Sequence, residues 1–281
     1  MEIHAAVALF GLAGLFGKWL FLSPFIIVLG RVVFACAALG AVLAAGRRWP
    51  EVRKVQGRDT GTFILLGLLL AVHWVSFFRS IQVSSVAVGL LSYSTFPLFV
   101  SFLEPLIDKA PWVKRHFILS LGCLAGVVLL LPGFDPSQPV VQGVGWGVLS
   151  GATFALLAIF NRRLGRRHPA AVIAFFQDLS AGLFLLPFLC VIRPLFSVRE
   201  VLLLAVLGIV CTALSHTLFI RGMKAVSART ASIISALEPV YGVILAFLFL
   251  NEVPAGRTVL GGAVIIGSTV WASLAESRSR A

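Results

Sequence analysis

Long apolar runs recur along the whole chain, and they constrain its fold more than any other feature. Most of them are long enough, at roughly 18 residues or more, for a helix to cross about 30 Å of hydrocarbon. Of the 281 residues, 59% are apolar and only 12% are charged, which is too little charge to cover a soluble domain. No hydrophilic stretch is long enough to form a second domain. We therefore predict one all-α polytopic membrane domain.

The apolar runs and the turn signals between them predict ten transmembrane helices of about 20 residues each. Proline-containing segments such as Ser23-Pro24 and His168-Pro169 mark several of the loops. Serine, tyrosine and threonine residues interrupt the fourth span. The predicted spans are 3–22, 24–45, 61–79, 83–107, 116–132, 143–161, 170–192, 199–221, 228–250 and 256–275.

Lysine and arginine are distributed unequally between alternate loops, and this bias predicts the orientation. Seventeen of them lie in the loops of one side, against four on the other side. Because cytoplasmic loops are enriched in these residues, both termini are expected in the cytoplasm, which requires an even number of spans. We expect a multi-pass protein of the inner (plasma) membrane.

The sequence also excludes several classes of protein. The net charge is +12, but the basic residues form short clusters between apolar runs and no basic stripe with interleaved aromatics. The four cysteines lie inside apolar runs without metal-ligand spacing. No Walker loop, zincin motif or Gly-x-Ser-x-Gly motif occurs. We expect no nucleic-acid partner, no metal and no cofactor, and we identify no catalytic residue.

An internal repeat divides the chain into two halves, 1–135 and 139–281. Three residues recur at one offset of 142: Arg79, Ser85 and Pro97 correspond to Arg221, Ser227 and Pro239. Each half holds five predicted spans, and an odd number of spans forces the halves into opposite orientations. Inverted repeats are typical of secondary transporters, whose site lies between the repeats near the middle of the membrane.

Several motifs strengthen this interpretation. They are Gly17-Lys18-Trp19, Ser23-Pro24 followed by Arg31, Asn161-Arg162-Arg163, the segment Ala225 to Pro239, and Leu250-Asn251-Glu252. In these motifs the chain resembles the drug/metabolite transporter superfamily, in its ten-helix EamA-repeat type. The resemblance implies a membrane fold of two five-helix repeats and transport of amino acids, other metabolites or drugs. The chain departs from the family pattern in its first half, where Thr95-Phe96-Pro97 stands in place of a Glu-Pro pair.

Three ionisable residues inside predicted spans are the main candidates for a site. Glu238 lies close to mid-bilayer, where a carboxyl group is costly and usually faces a cavity or a partner. Arg31 lies roughly 10 Å below the outer face, too deep to snorkel, and needs an anion from a substrate or from Glu238. Asp178 could relay a proton, line the inner vestibule or join two helices. For all three, structural pairing remains open as an alternative to binding.

The remaining candidates are less charged or lie nearer the membrane surfaces. Pro97 and Pro239 are predicted to break their helices and to free backbone groups for binding. Trp74, Tyr93, Ser94 and Tyr241 are assigned to substrate binding, and His73 and Lys18, with Asp178, to gating or proton coupling. For His73 and Lys18 a neutral structural histidine and a snorkelling lysine are the alternatives.

Glycines at four-residue intervals predict close helix packing. They are Gly143, Gly147 and Gly151 in span six and Gly122 and Gly126 in span five. Such faces pack either against helices of the same chain or against a second copy in a homodimer, and the sequence does not separate the two.

The leading hypothesis is a secondary transporter, more consistent with export than with import, that carries small metabolites such as amino acids by alternating access. Glu238 and Arg31 would engage the opposite charges of a zwitterion. The alternatives are a transporter or exchanger of drugs, nucleosides or polyamines, and, less favoured, a membrane-embedded enzyme or a sensor. An enzyme would need a catalytic cluster at one interface, and a sensor would need larger loops.

Overall fold

The computed structural model describes residues 2–55, 57–109, 114–133, 135–222, 234–235 and 237–278. Over these ranges the chain is almost entirely helical and contains no strand, which confirms the all-α prediction. The elements are α1 Glu2–Trp19, α2 Pro24–Ala45, α3 Trp49–Arg53, α4 Gly57–Val83, α5 Val86–Tyr93, α6 Phe96–Asp108, α7 Lys114–Leu130, α8 Pro139–Leu164, α9 Ala170–Leu185, α10 Phe188–Ile192, α11 Val198–Gly208, a π-helical segment Ile209–Leu214, α12 Ser215–Gly222, α13 Glu238–Leu250 and α14 Gly256–Arg278.

Among the residues that the structure describes, five helical stretches are long and apolar enough to cross a membrane. They are Pro24–Ala45, Asp59–Val83, Val86–Ile107, Pro139–Leu164 and Val198–Phe219, and three shorter apolar helices cover Ile118–Leu130, Ala170–Leu185 and Glu238–Leu250. All eight overlap predicted spans. The count of ten spans stays a prediction, because the ninth, 228–250, begins outside the described residues.

Local signals set the helix boundaries where the sequence predicted turns. Ser23 caps α2, since its hydroxyl accepts a hydrogen bond from the backbone N–H of Ile26 at 3.4 Å, and Pro24 occupies the first helical position. Ser197 and Glu200 form a capping box at the start of α11, in which each side chain bonds to the other residue's backbone N–H. These caps satisfy N–H groups that would otherwise lack partners at the helix ends.

The principal helix contacts follow a two-fold pattern that relates the halves. Helix α4 of the first half packs on α8 and α9 of the second half. In the same way, the segment α11–α12 of the second half packs on α1 and α2 of the first half. Helices α5 and α6 pack on α8, as α13 packs on α1, while α2 packs on α9 and α7 packs on α14. Exchanging each helix with its counterpart in the other half reproduces this set of contacts. Such interleaving is what two related repeats produce when they pack face to face.

Large apolar side chains cover much of the outside of the bundle. Leu106, Leu183, Leu202, Leu248 and Leu260 are all exposed, and they lie on five different helices. A soluble monomer rarely exposes contiguous apolar surface on this scale. Contact with lipid tails accounts for these side chains in a membrane protein.

The glycine faces are occupied by helices of the same chain. On α8, Gly143 lies against Ser84 in the turn between α4 and α5, and Gly147 lies against Ser80 of α4 and Ser92 of α5. Gly151 lies against the carbonyl of Tyr93. Gly122 and Gly126 on α7 pack in the same way against α14. The small residues therefore allow close approach between helices within the chain.

Gly67 tests how tightly these contacts are packed. A Cβ added there would clash with Ser180 of α9 and would lie 2.8 Å from the backbone nitrogen of Ala181. We expect Gly67→Ala to lower the free energy of unfolding by about 1–3 kcal/mol through overpacking. Gly61→Ala in the same helix is the control, since nothing lies within 4 Å of its added Cβ. Unfolding midpoints in detergent measure both, and equal midpoints would contradict the close contact between α4 and α9.

Candidate functional site

A buried arginine lies where the two halves meet. Arg31 on α2 is only 3% exposed. Its Nε donates a hydrogen bond to Thr212 Oγ1 at 2.8 Å, and its Nη2 donates to the carbonyl oxygen of Cys211 at 3.4 Å. The guanidinium carbon lies 3.7 Å from the centroid of the Trp74 ring, which is a cation–π contact. Three neutral groups therefore fix the orientation of Arg31.

The π-helical segment brings two of these groups to Arg31. Thr212 lies in this wide turn, and its hydroxyl also donates to the carbonyl of Leu207, five residues earlier, at 2.8 Å. Gly208 precedes the segment, and a Cβ there would lie 2.5 Å from the carbonyl oxygen of Arg31. The absence of a side chain at Gly208 thus allows α11 to approach α2. π-Bulges occur frequently at functional sites.

Two buried carboxylates share the electrostatic environment of Arg31. Asp178 on α9 is 2% exposed and Glu238, the first residue of α13, is 9% exposed. Both are near enough for their charges to interact with that of Arg31. Within the described residues neither carboxylate has a hydrogen bond or an ion pair, to Arg31 or to any other group. An ionised carboxylate in this position costs several kcal/mol unless a proton or a ligand neutralises it.

A wall of aromatic rings adjoins the charged groups. The ring centroid of His73 lies 5.4 Å from that of Tyr93 and 5.1 Å from that of Phe154. Trp74, which contacts Arg31, has its ring centroid 5.8 Å from that of His216. His73 is buried, and its Nδ1 lies 2.8 Å from Ser150 Oγ of α8. The bond to Ser150 fixes the imidazole between α4 and α8.

Both halves have a helix boundary beside the predicted helix-breaking prolines. Helix α5 ends at Tyr93 and α6 begins at Phe96, one residue before Pro97. Helix α13 begins at Glu238, one residue before Pro239. Ser94 lies in the first of these breaks, and its hydroxyl donates to the carbonyl of Leu90 at 2.8 Å. Most of the segment Ala225 to Pro239 that carries the family motif lies outside the described residues.

Two further side chains have partners other than Arg31. They are Tyr241 and Gln177, the latter next to Asp178 in the sequence. The hydroxyl of Tyr241 lies 3.2 Å from Nδ1 of His4, near the start of α1, in a cluster that includes Ile3 and Val7. The side-chain amide of Gln177 donates to the side-chain oxygen of Asn161 on α8. The structure thus brings Arg31, Trp74, Asp178 and Glu238 into one environment, and it places Tyr241 at a separate helix contact.

Lys18 lies at the predicted outer end of the bundle. Its Nζ donates to the carbonyl oxygen of Ser84 at 2.9 Å. Beside it, the carboxylate of Glu252 accepts hydrogen bonds from the backbone N–H groups of Val86 and Ala87, each at 3.2 Å. These bonds connect α1, the start of α5 and the segment before α14. The motif that contains Glu252 does not predict these bonds, because the partners of Glu252 are 165 residues away or more.

A basic cavity of about 410 Å³ lies at the predicted cytoplasmic end, away from Arg31 and Glu238. Beside it, Asp59 pairs with Arg167 at 3.1 Å and with His168 Nε2 at 2.9 Å. These contacts join the start of α4 to the loop after α8. The cavity is lined by Asp59, Thr62, Phe160, Arg163, Leu164, Arg166 and Arg167.

Comparisons with known proteins agree with this architecture. The model of the EamA-like transporter family matches residues 3–131 and 141–274. An uncharacterized transporter of Archaeoglobus fulgidus is 27% identical over 216 residues, which cover 77% of each chain. An S-adenosylmethionine uptake transporter of Rickettsia prowazekii is 26% identical over 220 residues, covering 77% of this chain and 72% of that protein. A solved crystal structure has a TM-score of 0.69 at 22% identity, covering 98% of this chain and 96% of the other, which shows a shared fold.

The hydroxyl of Thr212 tests how Arg31 is held. Thr212→Val preserves the shape of the side chain but removes the acceptor of the Arg31 Nε–H, and we expect a loss of about 1.5–3 kcal/mol in unfolding free energy. Thr217→Val is the matched control, since its hydroxyl bonds only to the carbonyl of Ala213 one turn earlier. Chemical unfolding in detergent measures both. Equal losses in the two variants would show that the bond to Arg31 is unimportant.

Proposed function

The chain belongs to the EamA-like transporter family, and from that premise we propose that it carries small zwitterionic metabolites, such as amino acids and their derivatives, across the inner membrane by alternating access. Its family and its relatives are multi-pass membrane transporters and are not enzymes. Arg31 binds the carboxylate of the solute, and Glu238 binds its ammonium group.

The position and unsatisfied bonding of Arg31 carry this proposal. A guanidinium has five N–H donors, and two are used by Thr212 and Cys211. The other donors have no partner within the part of the chain that the structure describes, so they are available to a carboxylate, which arginine binds well. Arg31 lies in the first half of the chain and Thr212 in the second. The site therefore lies between the halves, where transporters with repeats bind their substrates.

The helix boundaries support alternating access around this site. The break between α5 and α6 and the start of α13 lie next to Pro97 and Pro239, so short helical pieces border the charged groups from both halves. Loop or helix-terminal residues absorb the backbone changes when packed bodies rock against each other. In this mechanism the solute shifts the population between two packings through its contacts with Arg31 and Glu238.

The orientation and direction of transport are part of the proposal. The excess of lysine and arginine in alternate loops supports cytoplasmic termini. We propose export, because the motifs of the chain resemble those of exporters. The relative from Rickettsia prowazekii, in contrast, is named for uptake of S-adenosylmethionine. Counterflow in both directions across proteoliposomes of known orientation separates export from uptake and exchange.

Glu238→Gln tests the proposed site. The amide keeps the size of the side chain but removes the charge that binds the ammonium group or a coupled proton, and we expect at least a tenfold loss of flux with folding intact. The assay is uptake by proteoliposomes of a mixed pool of amino acids, nucleosides, polyamines and sugars. Glu51→Gln, in the loop helix α3, is the control. Wild-type flux in the Glu238 variant would reduce that residue to a structural role.

Arg31→Ala tests recognition of the carboxylate. Wild-type protein should bind a transported amino acid at least tenfold more tightly than its carboxamide, and the variant should bind both with similar, weaker affinity. The exposed Arg79→Ala is the control. Binding to purified protein measures the difference, and a variant that still distinguishes acid from amide would exclude Arg31 from the binding site.

A further inference from the structure

The buried site contains more acidic groups than the proposed zwitterion can neutralise. Asp178 and Glu238 supply two carboxylates, whereas Arg31 supplies one cation. A simple amino acid brings one ammonium group for Glu238 and one carboxylate for Arg31, which leaves Asp178 without a partner. Burial of an unpaired carboxylate is strongly unfavourable. Asp178 must therefore be neutralised by a proton or by a second positive charge, and a solute that carries such a charge can take the place of the proton.

We propose that the solute carries a second cationic centre besides its α-ammonium group, and that Asp178 binds it. This inference rests on the proposed function and narrows its substrate class to amino-acid derivatives with one carboxylate and two cations. Side-chain ammonium, guanidinium and sulfonium groups satisfy this chemistry. In this arrangement Arg31, Glu238 and Asp178 each bind a different group of one solute.

The contacts of Arg31 explain why it does not itself neutralise Asp178. Its guanidinium is held by Thr212, Cys211 and Trp74, and it forms no ion pair with a described carboxylate. Moving it onto Asp178 would break the bond to Thr212 across the two halves. Asp178 thus stays close to a fixed cation without pairing with it, and it remains available to a mobile one.

The other groups around the carboxylates suit a cation. Helix α9, which carries Asp178, packs against α2 and α4, the helices of Arg31 and Trp74. The ionisable neighbours are Cys36 beside Asp178, Tyr93 beside Glu238, and Cys211, His73 and His216 beside Arg31. No further carboxylate or arginine is among them. The rings of Phe77 and Phe154 pack edge-to-face with that of Tyr93, and aromatic rings of this kind attract organic cations.

Pairs of compounds that differ in one positive charge test the proposal. S-adenosylmethionine is compared with S-adenosylhomocysteine, which lacks the sulfonium charge, and L-lysine with Nε-acetyl-L-lysine, which lacks the side-chain charge. Equilibrium binding to the purified full-length protein is the readout. In each pair that shows any binding, we expect the cationic member to bind about tenfold more tightly, or better, than its neutral counterpart.

Asp178→Asn should remove this preference. We expect the two members of a pair to bind that variant within about twofold of each other, whereas Asp178→Glu should keep the preference. Asp135→Asn, an exposed acid in a loop, is the control that should behave as the wild type. Equal binding within each pair by wild-type protein would overturn the proposal. So would a charge preference that survives in Asp178→Asn, or the absence of binding by all four compounds.

A labelling measurement on the wild type covers the case in which Asp178→Asn fails to fold. Dicyclohexylcarbodiimide modifies carboxyl groups in apolar surroundings, and mass spectrometry of the Asp178 peptide reports the extent. The cationic member of a pair should protect Asp178 and its neutral counterpart should not. Equal protection by both members, or protection by neither, would overturn the assignment.

Flux separates this inference from the proposed function. If the four compounds bind with the expected charge preference but none crosses proteoliposomes, transport of this solute class is excluded and the cation site stands. If both members of a pair are transported at equal rates and bind equally, transport stands and the second cation site is excluded.

Discussion

The site depends on a charge held inside an apolar bundle by neutral groups. Arg31 is bonded to Thr212 and to the carbonyl of Cys211, and it lies against the ring of Trp74. A buried cation is normally paired with an anion, because desolvation is costly. Here hydrogen bonds and a π face stabilise the cation partly, and its remaining N–H donors keep the capacity to bind a carboxylate. Because Thr212 and Arg31 belong to different halves, the same bonds also set how the halves meet.

The two carboxylates follow from the same constraint. If Arg31 were paired with Glu238, the site would be a neutral internal salt bridge with little reason to bind a zwitterion. Instead Asp178 and Glu238 lie within electrostatic reach of Arg31 but have no bonded partner among the described residues. The bundle therefore contains one cation and two carboxyl groups that are not paired with one another, and in the proposed mechanism a solute with complementary groups pairs with them. Binding energy of this kind can drive a change between two packings.

The sequence predicted the fold class because it depends on local signals, whereas the roles of the site residues stay predictions. Apolar run length and turn residues define spans, and counting along a span places Arg31, Asp178 and Glu238 at depth. The boundaries of the repeats, the count of ten spans and the orientation stay predictions. The bond of Arg31 to Thr212 and the backbone bonds to Glu252 could not be predicted, because they join residues far apart in sequence. The π segment could not be predicted because it lies inside one continuous apolar run. Tyr241 was assigned to the site by its distance from Pro239, yet its hydroxyl contacts His4.

Three hydrogen bonds with charged partners join helix ends at the predicted outer end. Glu252 accepts two backbone N–H groups at the start of α5, and Lys18 bonds to the carbonyl of Ser84. Each such bond has a charged partner and contributes about 1.5–3 kcal/mol net, so the three together are worth roughly 4.5–9 kcal/mol. A ligand moves a two-state equilibrium from 1:99 to 99:1 if it binds the favoured state about 5.5 kcal/mol more tightly than the other state. In the proposed mechanism, the contacts of the solute with Arg31, Glu238 and Asp178 supply the differential binding that opens this end.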